Sequence, residues 1–163
     1  MLGCYPGDDW YEELEAAVEE HAQHAGAYAA RVLPTLGHES RFYIHHVTSA
    51  LFVALARSGT PIPEAADHLF PIAWDGGAIL HVRVVEAARA LPPGRRERAI
   101  IGSMQRSDGR ASWVLAGVAA VLAAIPMPEV REAALAYAKK KAAAAKGDGA
   151  VKREIAAIVK ALR

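Results

Sequence analysis

The sequence predicts an all-α fold, an α-α superhelix of stacked antiparallel helix pairs, and three observations carry that expectation. The first is self-similarity at a step of about 34 residues. Ala90–Ile101 (ALPPGRRERAII) lies over Ala124–Leu135 (AIPMPEVREAAL), with apolar residues, prolines and charges largely coincident. Outward from there, Val85 falls on Ala119, Ala88 on Leu122, Leu91 on Ile125, Ala99 on Ala133 and Met104 on Ala138. One step back puts Leu51 on Val85, Ala54 on Ala88 and Phe70 on Met104. A fixed period of this length marks stacked units, none of which buries its apolar face alone. The second is composition: 36 alanines stand against 3 Phe, 3 Trp and 5 Tyr. Alanine has the best helix propensity and a small side chain, so it favours helices packed at close distance. The third is an absence: no β-branched run alternates with period two.

Punctuation then places the elements. First-of-pair helices are predicted over 10–23, 42–57, 78–91, 111–125 and 150–163, and second-of-pair helices over 27–36, 64–74, 95–107 and 128–145. Within pairs the breakers are Gly59-Thr60-Pro61, Pro92-Pro93-Gly94 and Pro126-Met127-Pro128. Proline ends one helix there and pre-sets the first turn of the next. Between pairs, Asp75-Gly76, Asp108-Gly109 and Asp148-Gly149 read as turns, since Asp bonds local backbone and Gly accepts positive φ. Apolar stripes at helical spacing support the helices: Phe42, Val47, Leu51, Ala54 and Leu55 form one. Val114, Val118, Val121, Leu122 and Ile125 form a second, and Val151, Ile155, Ile158, Val159 and Leu162 reproduce it 37 residues later. The three extra residues fit within Lys139–Gly147 (KKKAAAAKG), where the preceding helix runs long. No strong breaker divides 10–23 from 27–36, so one helix ending at Pro34 is the alternative there. A single domain over 1–163 results, with a loose segment at 1–8 and a capping helix at 149–163. The basic side of that cap, Lys152, Arg153, Lys160 and Arg163, suits a terminal element with one face in water.

Val82-Arg83 followed by Ala87, Ala88, Ala90 and Leu91 resembles the HEAT-like repeats of bacterial α-solenoids. So does Pro128-Glu129-Val130-Arg131 followed by Ala133, Ala134 and Leu135, and the resemblance covers roughly residues 41–163. Ala25–Leu36 (AGAYAARVLPTL) is similar to the opening helix of short HEAT-like proteins from high-GC bacteria. The sequence departs from the pattern where Trp113 replaces the Val-Arg start, and the first repeat lacks the turn signature. What the resemblance implies is a non-enzymatic protein-protein interaction module, an adaptor or an immunity-type protein that neutralises a partner. The alternative is a small HEAT-like nucleic-acid-binding or DNA-repair protein.

The catalytic classes find little support in the residues. His21 and His24 share a helix face, but His45 and His46 diverge by about 100° on a helix. Asp67-His68 reverses the order of the metal-binding His-Asp pair of phosphohydrolases, without matching ligands around it. No metal and no cofactor are expected, since a site needs three or four converging ligands. Ser49, Ser103 and Ser112 lie in or beside helices with no Gly-x-Ser-x-Gly elbow, and no phosphate-cradling glycine loop is present. Glu12, Glu13, Glu15, Glu19 and Glu20 read as a solvated helix face. The one cysteine, Cys4, excludes an intrachain disulfide and a thiolate zinc cluster. Fifteen residues, Ala111–Ile125, form the longest apolar stretch. A bilayer span needs about 20, so this reads as a buried helix with Trp113 inside it. No cationic stretch and apolar core open the chain, and the cytoplasm is the expected compartment.

Charge is segregated although the net is +1. Residues 1–40 hold eight acids and one base (−7), 41–130 hold nine bases and seven acids (+2), and 131–163 nine bases and three acids (+6). Such polarity steers a charged partner or favours head-to-tail self-contact. Arg95-Arg96-Glu97-Arg98 and Lys139-Lys140-Lys141 are the segments able to contact phosphates in the nucleic-acid reading. For protein recognition, the second helices of successive pairs line one broad surface. The 34-residue spacing turns positions 66, 100 and 134 and positions 70, 104 and 138 inward. It leaves Glu64, His68, Arg98, Gln105 and Lys139 on the opposite side as the candidate partner-binding surface. The expected assembly is a monomer or weak homo-oligomer holding a protein partner, away from any membrane.

Overall fold

The computed structural model describes residues 78–107, 110–145 and 147–162, with only the backbone of 78–83. It also describes Glu13, Ala16, Ala17, Glu20, Phe52, residues 55–57 and 59–64, Asp67, Phe70 and Ile72. Among these the regular structure is wholly helical. Five continuous helices follow one another: α1 Ala78–Ala90, α2 Arg95–Arg106, α3 Ala111–Ala124, α4 Pro128–Ala144 and α5 Gly149–Leu162. Each lies within one residue of its predicted bounds. Residues 13, 16, 17, 20, 52 and 55–57 are helical as well. Among the described residues no helix is long and apolar enough to cross a membrane.

Helix ends are set by local chemistry. Leu91 closes α1, and Pro92 and Pro93 cannot continue it. The carbonyls left open there are taken by Arg96, whose guanidinium donates to the Leu91 oxygen at 2.7 and 3.1 Å and the Ala88 oxygen at 2.5 Å. Gly94, at φ 82°, turns the chain into α2 while the Glu97 carboxylate accepts the Gly94 N–H. Ile125, extended at φ −140° before Pro126, ends α3, and Pro128 is the first residue of α4. At α5 the expected turn shifts by one peptide. Gly147 carries the positive φ of 87°, and Gly149 is already helical. Asp148 is the cap instead, its Oδ1 accepting from the amides of Ala150 (3.0 Å) and Val151 (3.1 Å).

Packing sorts the helices into two rows. Helix α3 packs on α1 and α5, while α4 packs on α2, α3 and α5. The shared core comprises Val84, Ala87, Ala88 and Leu91 of α1, Ile100 and Met104 of α2, and the apolar side of α3. Val130, Ala134 and Ala138 of α4 and Ile155 and Leu162 of α5 complete it. Ile100 and Ala134 are buried alike, as are Phe70, Met104 and Ala138. Position 66 lies outside the described residues.

Three expectations need correction. The helix predicted over 64–74 is replaced, among its described residues, by 3-10 turns at Glu64 and Asp67 and irregular backbone at Phe70 and Ile72. Phe70 N–H donates to the Asp67 carbonyl at 3.3 Å, and Ile72 N–H to the Phe70 carbonyl at 2.8 Å. Pro71 explains the break, because it supplies no N–H and pushes Phe70 out of the α region. The spacing also slips before this break. A step of 34 carries buried Phe52 and Leu55 onto Glu86 and Arg89, which are not buried, whereas 32 carries them onto buried Val84 and Ala87. Thirdly, Trp113 is 39% exposed rather than in the core. Of the N-terminal pair, Glu13, Ala16, Ala17 and Glu20 are helical. The segment 1–8, the predicted helix 27–36, and the choice between one helix and two over 10–36 lie outside the described residues.

The segment around Pro71 is anchored to the helices at three points. Arg95, opening α2, grips the Asp67 carboxylate with bonds of 2.7, 2.9 and 3.0 Å. Ser103 Oγ donates to the Phe70 carbonyl at 2.5 Å. The Ile72 carbonyl rests on Gly117 of α3, where a Cβ would stand 2.8 Å from that oxygen. Phe70 also meets Phe52 edge to face, with centroids 5.8 Å apart.

Candidate functional site

The candidate surface begins on α2. Arg98 and Gln105 are seven residues apart, two helical turns, and therefore share one stripe. Both are exposed, and buried Ile100 and Met104 occupy the other side of the helix. On α4, Lys139 is exposed together with Glu132 and Ala136, while Val130, Ala134 and Ala138 are buried. Helix α2 packs against α4, so the two exposed stripes lie on neighbouring helices. Glu64 is exposed in its 3-10 turn, and Asp67, one turn on, is pinned to Arg95 at the start of α2. That ion pair is half-buried, with side-chain exposures of 14% and 26%. It therefore fixes the approach of the Glu64 turn to α2 more firmly than a surface pair would. His68 lies outside the described residues.

The basic run at the start of α2 is less available than its sequence implies. Arg95 is committed to Asp67 and Arg96 to the carbonyls closing α1. Of the three arginines only Arg98 is exposed. At the far end of α4, Lys139 and Lys140 are exposed, but the ammonium of Lys141 lies 5.2 Å from the Tyr137 ring centroid. Burial pushes the Tyr137 phenol above its ordinary value near 10, because the phenolate would lose its hydration.

Groups that bear on chemistry are already structural where they are described. Ser103 Oγ is bonded to a backbone carbonyl, and Ser112 is buried at the start of α3. Among the described residues no three His, Cys, Asp or Glu side chains gather as metal ligands would. What the described residues of α2 and α4 present is an exposed face of mixed charge.

A second constellation was not read from the sequence. Arg110, just before α3, places its guanidinium 5.7 Å from the Trp113 ring centroid and donates to Glu154 of α5 at 2.7 Å. Trp113 is the only large hydrophobic exposed among the described residues. The Arg110/Trp113 spacing of three residues at a helix start was the available signal, hidden inside an apolar run. Comparison with known protein families, with curated proteins and with solved structures returns no match.

Proposed function

We propose that this chain is a non-enzymatic protein-interaction module, a HEAT-like stack of helix pairs acting in the cytoplasm as an adaptor or as a neutraliser of its partner. The partner docks across the outer stripes of α2 and α4, with Arg98, Gln105 and Lys139 at the centre and Glu64 at one margin, and His68 is the further residue proposed to contribute. One observation supports this reading above the others. Positions 98 and 105 on α2, and 132 and 139 one step of 34 on, are all exposed, while the positions between them supply the core. Such a face, spread over two packed helices and of mixed charge, suits a polar protein surface better than a small apolar ligand.

Affinity capture from the native lysate tests the proposal, with the eluate divided between mass spectrometry and nucleic-acid staining. The expected result is one stoichiometric protein, lost on Arg98→Glu combined with Lys139→Glu while the fold is kept. Retention of that protein by the double variant would move the interface elsewhere. Recovery of nucleic acid alone would replace the module by the DNA-binding reading.

A further inference from the structure

The rim where α2 and α4 end and α3 and α5 begin carries a charge pattern that the fold itself does not require. The links 107–110 and 145–148 are short, and Arg110 at the start of α3 bonds Glu154 of α5, so these ends lie together. Arg106, Arg110, Lys139, Lys140, Lys152 and Arg153 are all exposed there. Arg106 lies in the last turn of α2 and complements its carbonyl end, while Lys139 and Lys140 lie just before the last turn of α4. The remaining three do the opposite. Arg110 stands at the N-cap of α3, and Lys152 and Arg153 lie in the opening turns of α5, where the helix dipole disfavours cations. Neither helix has an acid in its first turn. The acids nearby are occupied or few: Asp148 caps α5, Glu154 pairs with Arg110, and Asp108 follows Ser107 in the link. Exposed Trp113 stands beside Arg110 on this rim. Trp and Arg are the residue types that dominate binding energy at protein interfaces.

We infer that this rim binds the acidic N-terminal segment of a second copy of the chain. Residues 8–20 hold seven acids and no base. Within them Glu13, Ala16, Ala17 and Glu20 are helical and exposed at i, i+3, i+4 and i+7, one stripe with a small apolar centre flanked by carboxylates. The rim is its complement, an indole with the Arg110 guanidinium against it and further exposed cations on the same helix ends. The charges match over longer range too, −7 in residues 1–40 against +6 in residues 131–163. Two different surfaces meet in this contact, so the association is head-to-tail. It shares exposed Lys139 with the proposed partner face but uses neither Arg98 nor Gln105, and its test varies only Trp113, Lys152, Arg153, Glu13 and Glu20, so its failure leaves that face standing.

Sedimentation velocity of the whole chain over a concentration series, at about 0.03 M and about 0.5 M salt, is the test. Association that rises with concentration at low salt and weakens at least about tenfold at high salt is expected. Trp113→Ala should weaken it about tenfold or more. Lys152→Glu with Arg153→Glu, and separately Glu13→Lys with Glu20→Lys, should each give monomers, and mixing the two variants should restore association. Circular dichroism guards against misfolding, and the milder Lys152→Gln with Arg153→Gln should give an intermediate loss. A monomer at every concentration in low salt overturns the inference, as does association indifferent to these variants. Labelled oligo(dT) bound by a monomer, and released by Trp113→Ala, would assign the rim to nucleic acid instead.

Discussion

Two stretches stand one step of 34 residues on either side of α2, and they solve the same packing problem differently. Phe70 before it and Ala138 after it flank Met104 in register, and all three are buried. Ala138 arrives on a continuous helix, whereas Phe70 arrives on irregular backbone ahead of Pro71. The helix closes its own hydrogen bonds and offers its neighbours only side chains. Among its described residues the irregular stretch bonds itself only through the Phe70 and Ile72 amides and finds its other partners outside. It supplies the Phe70 carbonyl to Ser103, the Ile72 carbonyl to the surface of Gly117 and the Asp67 carboxylate to Arg95. The irregular stretch is thus held to α2 by the Asp67 carboxylate and the Phe70 carbonyl, and to α3 by the close approach of Ile72 to Gly117.

The comparison breaks most severely at Phe70. Its ring is almost wholly buried and meets Phe52 edge to face, so Phe70→Ala should cost about 3–5 kcal/mol in urea unfolding. Met104→Ala on α2 should cost about 2–4 kcal/mol, since a flexible thioether leaves a gap that neighbours fill more readily. A loss below about 1 kcal/mol at Phe70 would show that the irregular stretch is not part of the cooperative core.

Glycine provides the next contrast. Gly117→Ala brings a methyl against a backbone oxygen 2.8 Å away that cannot step aside without moving the segment. A destabilisation of about 1–3 kcal/mol is expected, against the helix-propensity gain of alanine. At Gly102 the new methyl would meet the Arg106 guanidinium at 3.0 Å, the far end of a flexible exposed side chain. Gly102→Ala should therefore stabilise by about 0.5–1 kcal/mol. Opposite signs in parallel melts are the expected result, and equal signs would remove the distinction between rigid and yielding neighbours.

Smaller still is the Asp67–Arg95 anchor. Its exposure lies between surface and core, so Asp67→Ala should cost about 1–2 kcal/mol. A double-mutant cycle with Arg95→Ala isolates the pair, and a coupling near zero would mean that the turn is held by Phe70 alone.

These anchors are the part least legible in the sequence. The five continuous helices could be read to within a residue, because proline, glycine and apolar spacing act over a few residues and leave local marks. Pro71 was such a mark too, but the 34-residue correspondence of Phe70 with Met104 masked it as helix. The correspondence was right about burial and wrong about backbone. Exposure of Arg98, Gln105 and Lys139 followed from helical periodicity alone. The engagement of Arg95 with Asp67, 28 residues earlier, could not follow from any local rule. Trp113 was misplaced because an apolar run does not say which stripe of a helix its neighbours leave open.

The last prediction returns to the paired positions beside α2. Ser103 and Tyr137 are one step of 34 apart, and Ser103 finds the Phe70 carbonyl because that backbone is irregular. Tyr137 sits on the continuous helix α4, and among the described residues no group bonds its buried hydroxyl. An unpaired buried hydroxyl costs free energy, so Tyr137→Phe should be neutral or stabilising by up to about 1 kcal/mol at neutral pH. The ring remains for Lys141 to cover. The alkaline limb sharpens the test. Burial raises the folded phenol above its ordinary value near 10, so the folded state favours the protonated form. That contribution is intact below the unfolded value and is lost as pH climbs through the raised folded one. Wild type should therefore lose stability above about pH 10 more steeply than Tyr137→Phe, once the lysines common to both are subtracted. Identical alkaline slopes, or a loss above about 1 kcal/mol at neutral pH, would mean that the phenol has the partner Ser103 has.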